Sequence, residues 1–444
     1  MINHQEIEAA RHSLEYALSQ GAQAVRITLT KSTEDLISTL DGVVDTVTRC
    51  ADRSMSIALF VDGRFGSFSI NRMDIPVLED FILKAIETVR MFAPDPLRKL
   101  PEPGRCCHNA QSGRELDIYD EAYETLTPED RVRMALDAAV TGRTPRGVRL
   151  VSEEGEYSDS EYDTYLIDSQ GVECRQRESS FEYGVEVTIE DEEGNKYSDY
   201  WWTASPRLAD FDASSCGITA IEHARAQIGS EPAESGKYNM VVAAEAASKL
   251  VTPLLNALNA YSIQQGNSFL KGSLGEKLLS PGLTIMDEPW RKGESGSKLF
   301  DGEGVATRQE AIIDSGTVMR YSVNTYMSGK LEMEPTVEDV IRPRLAPWPS
   351  PGLDRDALMR MCGDGILVTD FNGGNCNMTT GDFSYGISGQ VFKDGRIVKP
   401  VSEMLITGNF LDLWNHLLAA GEDYRLCFTR LIPSIAFSEV DFSG

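Results

Sequence analysis

The chain has 444 residues, which at roughly 150 residues per domain suits two or three domains and a core needing no disulfide or metal. Its 42 basic and 69 acidic side chains leave a formal charge of −27, which repels phosphate backbones and anionic lipid and argues against direct nucleic-acid or membrane binding. Hydrophobic residues make up 41% and charged residues 25%, as in an ordinary soluble protein, and no window approaches the roughly 18 uncharged apolar residues of a membrane span.

The charged opening Met1–His12 predicts mature cytoplasmic sequence rather than a signal peptide. A helix is expected from Gln5 to Gln20, its apolar face carried by Ile7, Ala10, Leu14 and Ala17, with Gly21 at its stop. Val25, Ile27 and Leu29 alternate with polar residues as a half-buried strand does. Further strands are expected at 35–40, 43–50 and 54–61, with Asp41-Gly42 and Asp62-Gly63 as hairpin turns. Asp74 and Pro76 start a second helix that runs to Phe92, and Thr127-Pro128 starts a third that runs to Thr141. Between them, 100–113 predicts a surface connection. Strands follow at 164–168, 172–178 and 181–190, an acidic tip at Asp191–Asn195 turns the chain into 196–203, and a helix is expected over 206–228.

The polar stretch Gly229–Gly236 predicts the main domain boundary. The rest reads as strand and turn, with helices at 243–260, 353–362 and 403–420. Hairpins with separate helices, and no regular strand–helix alternation, predict an α+β protein. Residues 1–230 form a mixed helix and antiparallel-sheet domain, and 231–444 a β-rich domain with flanking helices.

Few motifs for chemistry are present. Of the five histidines, His4, His12, His108, His223 and His416, none precedes a glutamate and no two lie three to five apart, so no helical pair can grip a metal. Cys106-Cys107-His108 reads as a surface loop, and the eight scattered cysteines predict free thiols. Gly293-Glu294-Ser295-Gly296 is one residue short of a nucleophile elbow. Cys376, in the Asn/Gly-rich turn Asn375-Cys376-Asn377, is a weak candidate for a reactive thiol. Tyr200-Trp201-Trp202 is a concentrated aromatic patch, read as packing or as a platform for an apolar peptide side chain.

Several strings of the second half nevertheless form a pattern. They are Gly236–Val242, Lys271–Gly275, Leu283–Pro289, Phe300–Val305, Thr380-Gly381-Asp382-Phe383-Ser384 and Val401–Phe410. In this order they resemble the TldD/PmbA family, known as modulators of DNA gyrase, and the Thr-Gly-Asp-Phe-Ser string resembles its PmbA (TldE-like) branch. The TldD branch is a zinc peptidase with a His-Glu-x-x-x-His helix and a cysteine ligand near the C-terminus. The matching helix here begins Ala244-Glu245-Ala246-Ala247-Ser248-Lys249, so Ala244 and Lys249 stand at the histidine positions and only Glu245 remains. Cys427 lies near the cysteine position within a poorly matching stretch.

The resemblance therefore implies a cytoplasmic, non-catalytic partner of a TldD-like subunit. It implies no cofactor in this chain, zinc only in the partner, and short unfolded peptides as substrates of the pair. A homodimer is expected if the chain is isolated. Two alternatives stand beside it: a self-sufficient peptidase or amidase using Cys376, and an acidic binding protein acting on gyrase as a phosphate mimic.

Overall fold

The computed structural model describes residues 1–140 and 147–444. Helix α1 (His4–Ser19) is started by Asn3, whose side chain accepts from the Glu6 amide while Glu6 caps Asn3 in return. Strands β1 (Ala24–Leu40) and β2 (Val43–Val61) are each continuous where shorter pieces were expected, and they pair antiparallel along their length. Asp41-Gly42 and Asp62-Gly63 turn with positive φ, as a type I′ hairpin requires, the second leading into β3 (Arg64–Ile70), a strand not anticipated from the sequence. Helix α2 (Ile75–Val89) packs with α1 over Val25, Ile27 and Leu29 of β1 and Met55, Ile57 and Leu59 of β2.

After the short helix α3 (Ala122–Thr125) comes α4 (Pro128–Ala138), begun by Thr127 and Asp130 as a capping box. Its expected end at Thr141 lies outside the described residues. Strands β4 (Arg149–Asp168), β5 (Glu173–Glu190) and β6 (Lys196–Ser205) form a second meander, and β1 pairs with β4 to join the two. The sheet order is β3-β2-β1-β4-β5-β6, so β6 is an edge. Helix α5 (Cys216–Arg225) covers β5 with Ala220, Ile221 and Ala224. It is shorter than the expected 206–228, because that stretch first makes a single 3-10 turn at Leu208–Asp210.

Strand β4 begins fifteen residues before the expected position 164. Its buried side alternates strictly, but through Gly155, Tyr157, Asp159, Glu161 and Asp163 rather than apolar residues. The carboxylates are matched inside the fold. Arg131 of α4 donates Nε to both oxygens of Asp159 at 2.9 and 2.8 Å, and Arg175 of β5 pairs with Asp163 at 2.6 Å. A buried charge persists only with such a partner.

The second half starts with β7 (Gly236–Val242), α6 (Ala244–Ala257) and α7 (Ala260–Gln264). Short strands β8 (Ile285–Asp287), β9 (Glu310–Asp314), β10 (Thr317–Val318) and β11 (Pro343–Leu345) make a small sheet, with α8 (Thr325–Leu331) between the last two in sequence. Then follow α9 (Arg355–Cys362), β12 (Gly365–Cys376), β13 (Asp382–Lys393), β14 (Arg396–Asn409), α10 (Phe410–Asn415), β15 (Leu417–Ala420) and β16 (Ile435–Ser443). The order β14-β13-β12-β7-β16-β15, with β14 also pairing β16, closes this sheet into a barrel.

The expected helix over 403–420 is therefore mostly wrong. Met404 and Ile406 are buried and Leu405 exposed, the two-residue period of a strand, and only 410–415 is helical. The protein is a mixture of helix and strand with an N-terminal sheet and a β-rich, barrel-like second part. The largest apolar cluster joins α6 (Leu250, Val251, Leu254) to the barrel strands through Ile366, Ile387 and Phe437.

Candidate functional site

Where the edge strand β6 and helix α5 face β12, β13 and the start of α6, they enclose a cleft of about 480 Å³. The aromatic patch of the sequence lies here. Trp201 and Trp202 line the cleft beside Tyr200, with Phe428 packed against Trp202 at 5.1 Å between ring centroids. The packing reading of this patch is met, since the rings pack on one another, and they also wall a cavity.

A loop of the second half closes one side. The Arg425 guanidinium lies 3.7 Å from the Trp201 ring centroid and 4.8 Å from that of Phe428, and it donates to the Trp202 carbonyl. The same loop is fixed to α6. Arg430 donates to Thr252 Oγ1 at 2.8 Å, and the Ala244 amide donates to Ser434 Oγ, whose own hydroxyl donates to Asp423 at 2.7 Å. Helix α6 has no side-chain cap of its own at Ala243, so Ser434 satisfies an amide that its N-terminus leaves open.

The outer edge of β6 is covered in the cleft. Gln227 of α5 donates to the Ser198 carbonyl at 3.1 Å, the Tyr200 amide donates to Asp199 at 2.8 Å, and Arg425 takes the Trp202 carbonyl. Asp199 also accepts from Gln227 at 2.8 Å and lies 3.9 Å from His223, whose ring stands edge-on to Trp201. Burial pushes the Asp199 carboxyl above the usual carboxylate range, and the charge of Asp370 across the cleft adds to the push. The Tyr200 hydroxyl is likewise raised by burial, then by Asp370 and Asp199.

The residues singled out in the sequence fall at different places. Glu245 lines the cleft from the first turn of α6. Ala244 is buried beneath it, while Lys249 is exposed with its ammonium 5.2 Å from the Tyr385 ring centroid. Cys427 is half-buried between Arg425 and Phe428, which do line the cleft. Cys376 is not in a free turn. It ends β12 in register with Phe383, packs against the barrel core, and burial raises its thiol above the ordinary value.

Cys106 and Cys107 are 5% and 1% exposed, so the expected surface loop is a small core with Cys174 and Phe300. Among the described residues no three His, Cys, Asp or Glu side chains gather as a metal-binding group. Asp199, His223, Asp370 and Arg425 were not proposed as a site from the sequence, since they come from four segments without local motif. The Trp201-Trp202 doublet and Glu245 were the signals pointing to the place.

Residues 235–444 match the model of the PmbA/TldA metallopeptidase C-terminal domain, and residues 121–228 match that of the central domain. The chain belongs to the PmbA/TldD family. Among family relatives, Metalloprotease PmbA of Escherichia coli O157:H7 is 25% identical over 99% of this chain and 98% of its own length. A Bacteroides thetaiotaomicron crystal structure with a gyrase-modulator name superposes with a TM-score of 0.94, at 36% identity and full coverage of both chains. TldE from Thermococcus kodakarensis shares the fold, with a TM-score of 0.83 at 18% identity over 98% of this chain and 100% of that one. In this PmbA/TldD member the N-terminal end of α6 opens to the cleft through Glu245. No helix of the described residues is long and apolar enough to cross a membrane.

Proposed function

We propose that this chain is the non-catalytic, TldE-like subunit of a two-subunit metallopeptidase acting on short unfolded peptides. The observation that carries the reading is the chemistry of α6 at the cleft. The family's metallopeptidase character implies a metal, and the residues present do not fit one. Ala244 has no donor atom and its amide is taken by Ser434. Lys249 brings an ammonium, which repels a dication, and that group rests on the Tyr385 ring. Glu245 and a half-buried Cys427 remain, fewer ligands than a stable zinc site uses.

In this role the cleft forms a wall of the chamber in which a TldD-like partner holds zinc and cuts peptide. The gyrase-modulator name of relatives is then read as an indirect effect, through peptides that act on gyrase. The thiol alternative has little support, because a half-buried Cys376 whose thiol burial raises is a poor nucleophile.

The test is co-expression with a TldD-like subunit. The expected result is a stable complex, with zinc and peptidase activity lost when the partner's ligands are mutated and retained when Cys376 or Cys427 is changed to Ala. Chelator-sensitive peptidase activity of the pure single chain with stoichiometric zinc sinks the reading.

A further inference from the structure

The cleft walls carry more negative charge than the fold neutralises. Glu186, Glu245 and Asp370 line it without a hydrogen-bond or ion-pair partner among the described residues. Two guanidiniums, those of Arg425 and Arg355, also line the cleft. Arg425 is committed to the Trp201 ring and the Trp202 carbonyl, and Arg355 lies 3.7 Å from Asp356. Asp199 adds a fourth carboxyl, faced on one side by His223 and Gln227 and on the other by Asp370.

The backbone of β6 offers little to a ligand. One outward group at each of Ser198, Tyr200 and Trp202 is met, by Gln227, Asp199 and Arg425, which leaves strand addition at this edge only a fragmentary ladder. Recognition here draws mainly on side chains. What the cavity presents is an aromatic wall of Tyr200 and Trp201 with unpaired carboxylates opposite it. That combination suits a group with an apolar stem and a cationic tip, since the stem covers ring surface and the tip meets charge.

We infer that the cleft is a pocket for a basic side chain, lysine or arginine, of a bound peptide, with Asp370 and Glu245 as its counter-charges and Trp201 against its stem. This rests on the reading of peptides as the ligand and names which peptides the chain selects. Asp199, already held by Gln227, forms the polar floor of the pocket.

The experiment compares two blocked pentapeptides, acetyl-Ala-Ala-Lys-Ala-Ala-amide and its norleucine counterpart, for binding to the full chain by calorimetry and tryptophan fluorescence. The lysine peptide is expected to bind about tenfold more tightly, the scale of one or two charge-assisted contacts, and raised salt should erase the difference. Asp370→Asn is expected to remove the preference while leaving the norleucine peptide unchanged, and Glu192→Gln, on the distant β5–β6 tip, should alter neither. If both peptides bind equally and Asp370→Asn has no effect, the basic-pocket inference is overturned and peptide binding stands. If neither peptide binds, alone or with a TldD-like subunit, the inference falls together with the peptide reading.

Discussion

The Arg425 guanidinium stacks 3.7 Å from the Trp201 ring centroid, so a loop of the barrel half clasps the edge strand of the N-terminal sheet. The same side chain donates to the Trp202 carbonyl, and the two contacts set the width of the cleft between the halves. Arg425→Ala is expected to cost about 1–3 kcal/mol, combining a partly desolvated cation–π contact with a charged hydrogen bond. Urea unfolding followed by tryptophan fluorescence measures it. A Lys substitution should recover part of the loss, because a point charge keeps the ring contact but not the planar fork. An unchanged midpoint for Arg425→Ala shows that the clasp contributes nothing.

Asp199 makes the cleft sensitive to pH. Its carboxyl is raised in the folded state, first by burial and then by Asp370, so the fold prefers the protonated form. Such a group adds stability at low pH and loses it as pH rises from the unfolded value of about 3.9 through the raised folded one. Asp199→Asn should therefore gain on the native chain across that window and keep the advantage at pH 7 in the absence of ligand. Urea midpoints from pH 4 to 8 give the answer; a variant less stable at pH 7 than at pH 4, relative to native, contradicts it.

The carboxylates inside β4 make a harsher prediction. Arg131 is 4% exposed and Asp159 is fully buried, with Asp35 a further 3.4 Å from the guanidinium. Arg131→Met leaves the buried Asp159 without its cation and Asp35 with Arg49 alone, and is expected to cost about 3–5 kcal/mol. Asp159→Asn should cost clearly less, since Arg131 keeps Asp35 and the Leu126 carbonyl. Comparing the two unfolding curves decides it, and equal losses would mean that the pair acts only by packing.

Cys376 is predicted to be a slow thiol. Burial holds it protonated, whereas Cys50 is exposed on β2. Iodoacetamide at pH 7.5, with mass-spectrometric mapping, should label Cys50 well before Cys376. Faster labelling of Cys376 would revive it as a nucleophile candidate.

The sequence was readable where side chains obey a binary pattern and obscure where they do not. Val25, Ile27 and Leu29 announce β1 because their buried side is apolar. The run from Ser152 to Asp163 looks like solvated surface, yet it is the middle of a sheet, because Arg131 and Arg175 supply from a distance the charges that let Asp159 and Asp163 go inside. Local inspection cannot see a partner 28 residues away. The stretch 403–409 was misread for another reason: Glu403, at φ 54°, offsets the alternation just before Met404 and Ile406, so the apolar spacing imitates a helix. The stretch Ala244–Lys249 was legible through a resemblance, but the cleft that Glu245 opens onto was not, because Asp199, His223, Asp370 and Arg425 meet only in three dimensions.

The caps that Gln227, Asp199 and Arg425 place along β6 bear on behaviour in a crowded solution. A bare sheet margin is a template on which another copy's strand can grow, the first step toward fibrils. Here that margin is already occupied by the chain's own polar tips, so propagation from this side would first have to strip three internal bonds.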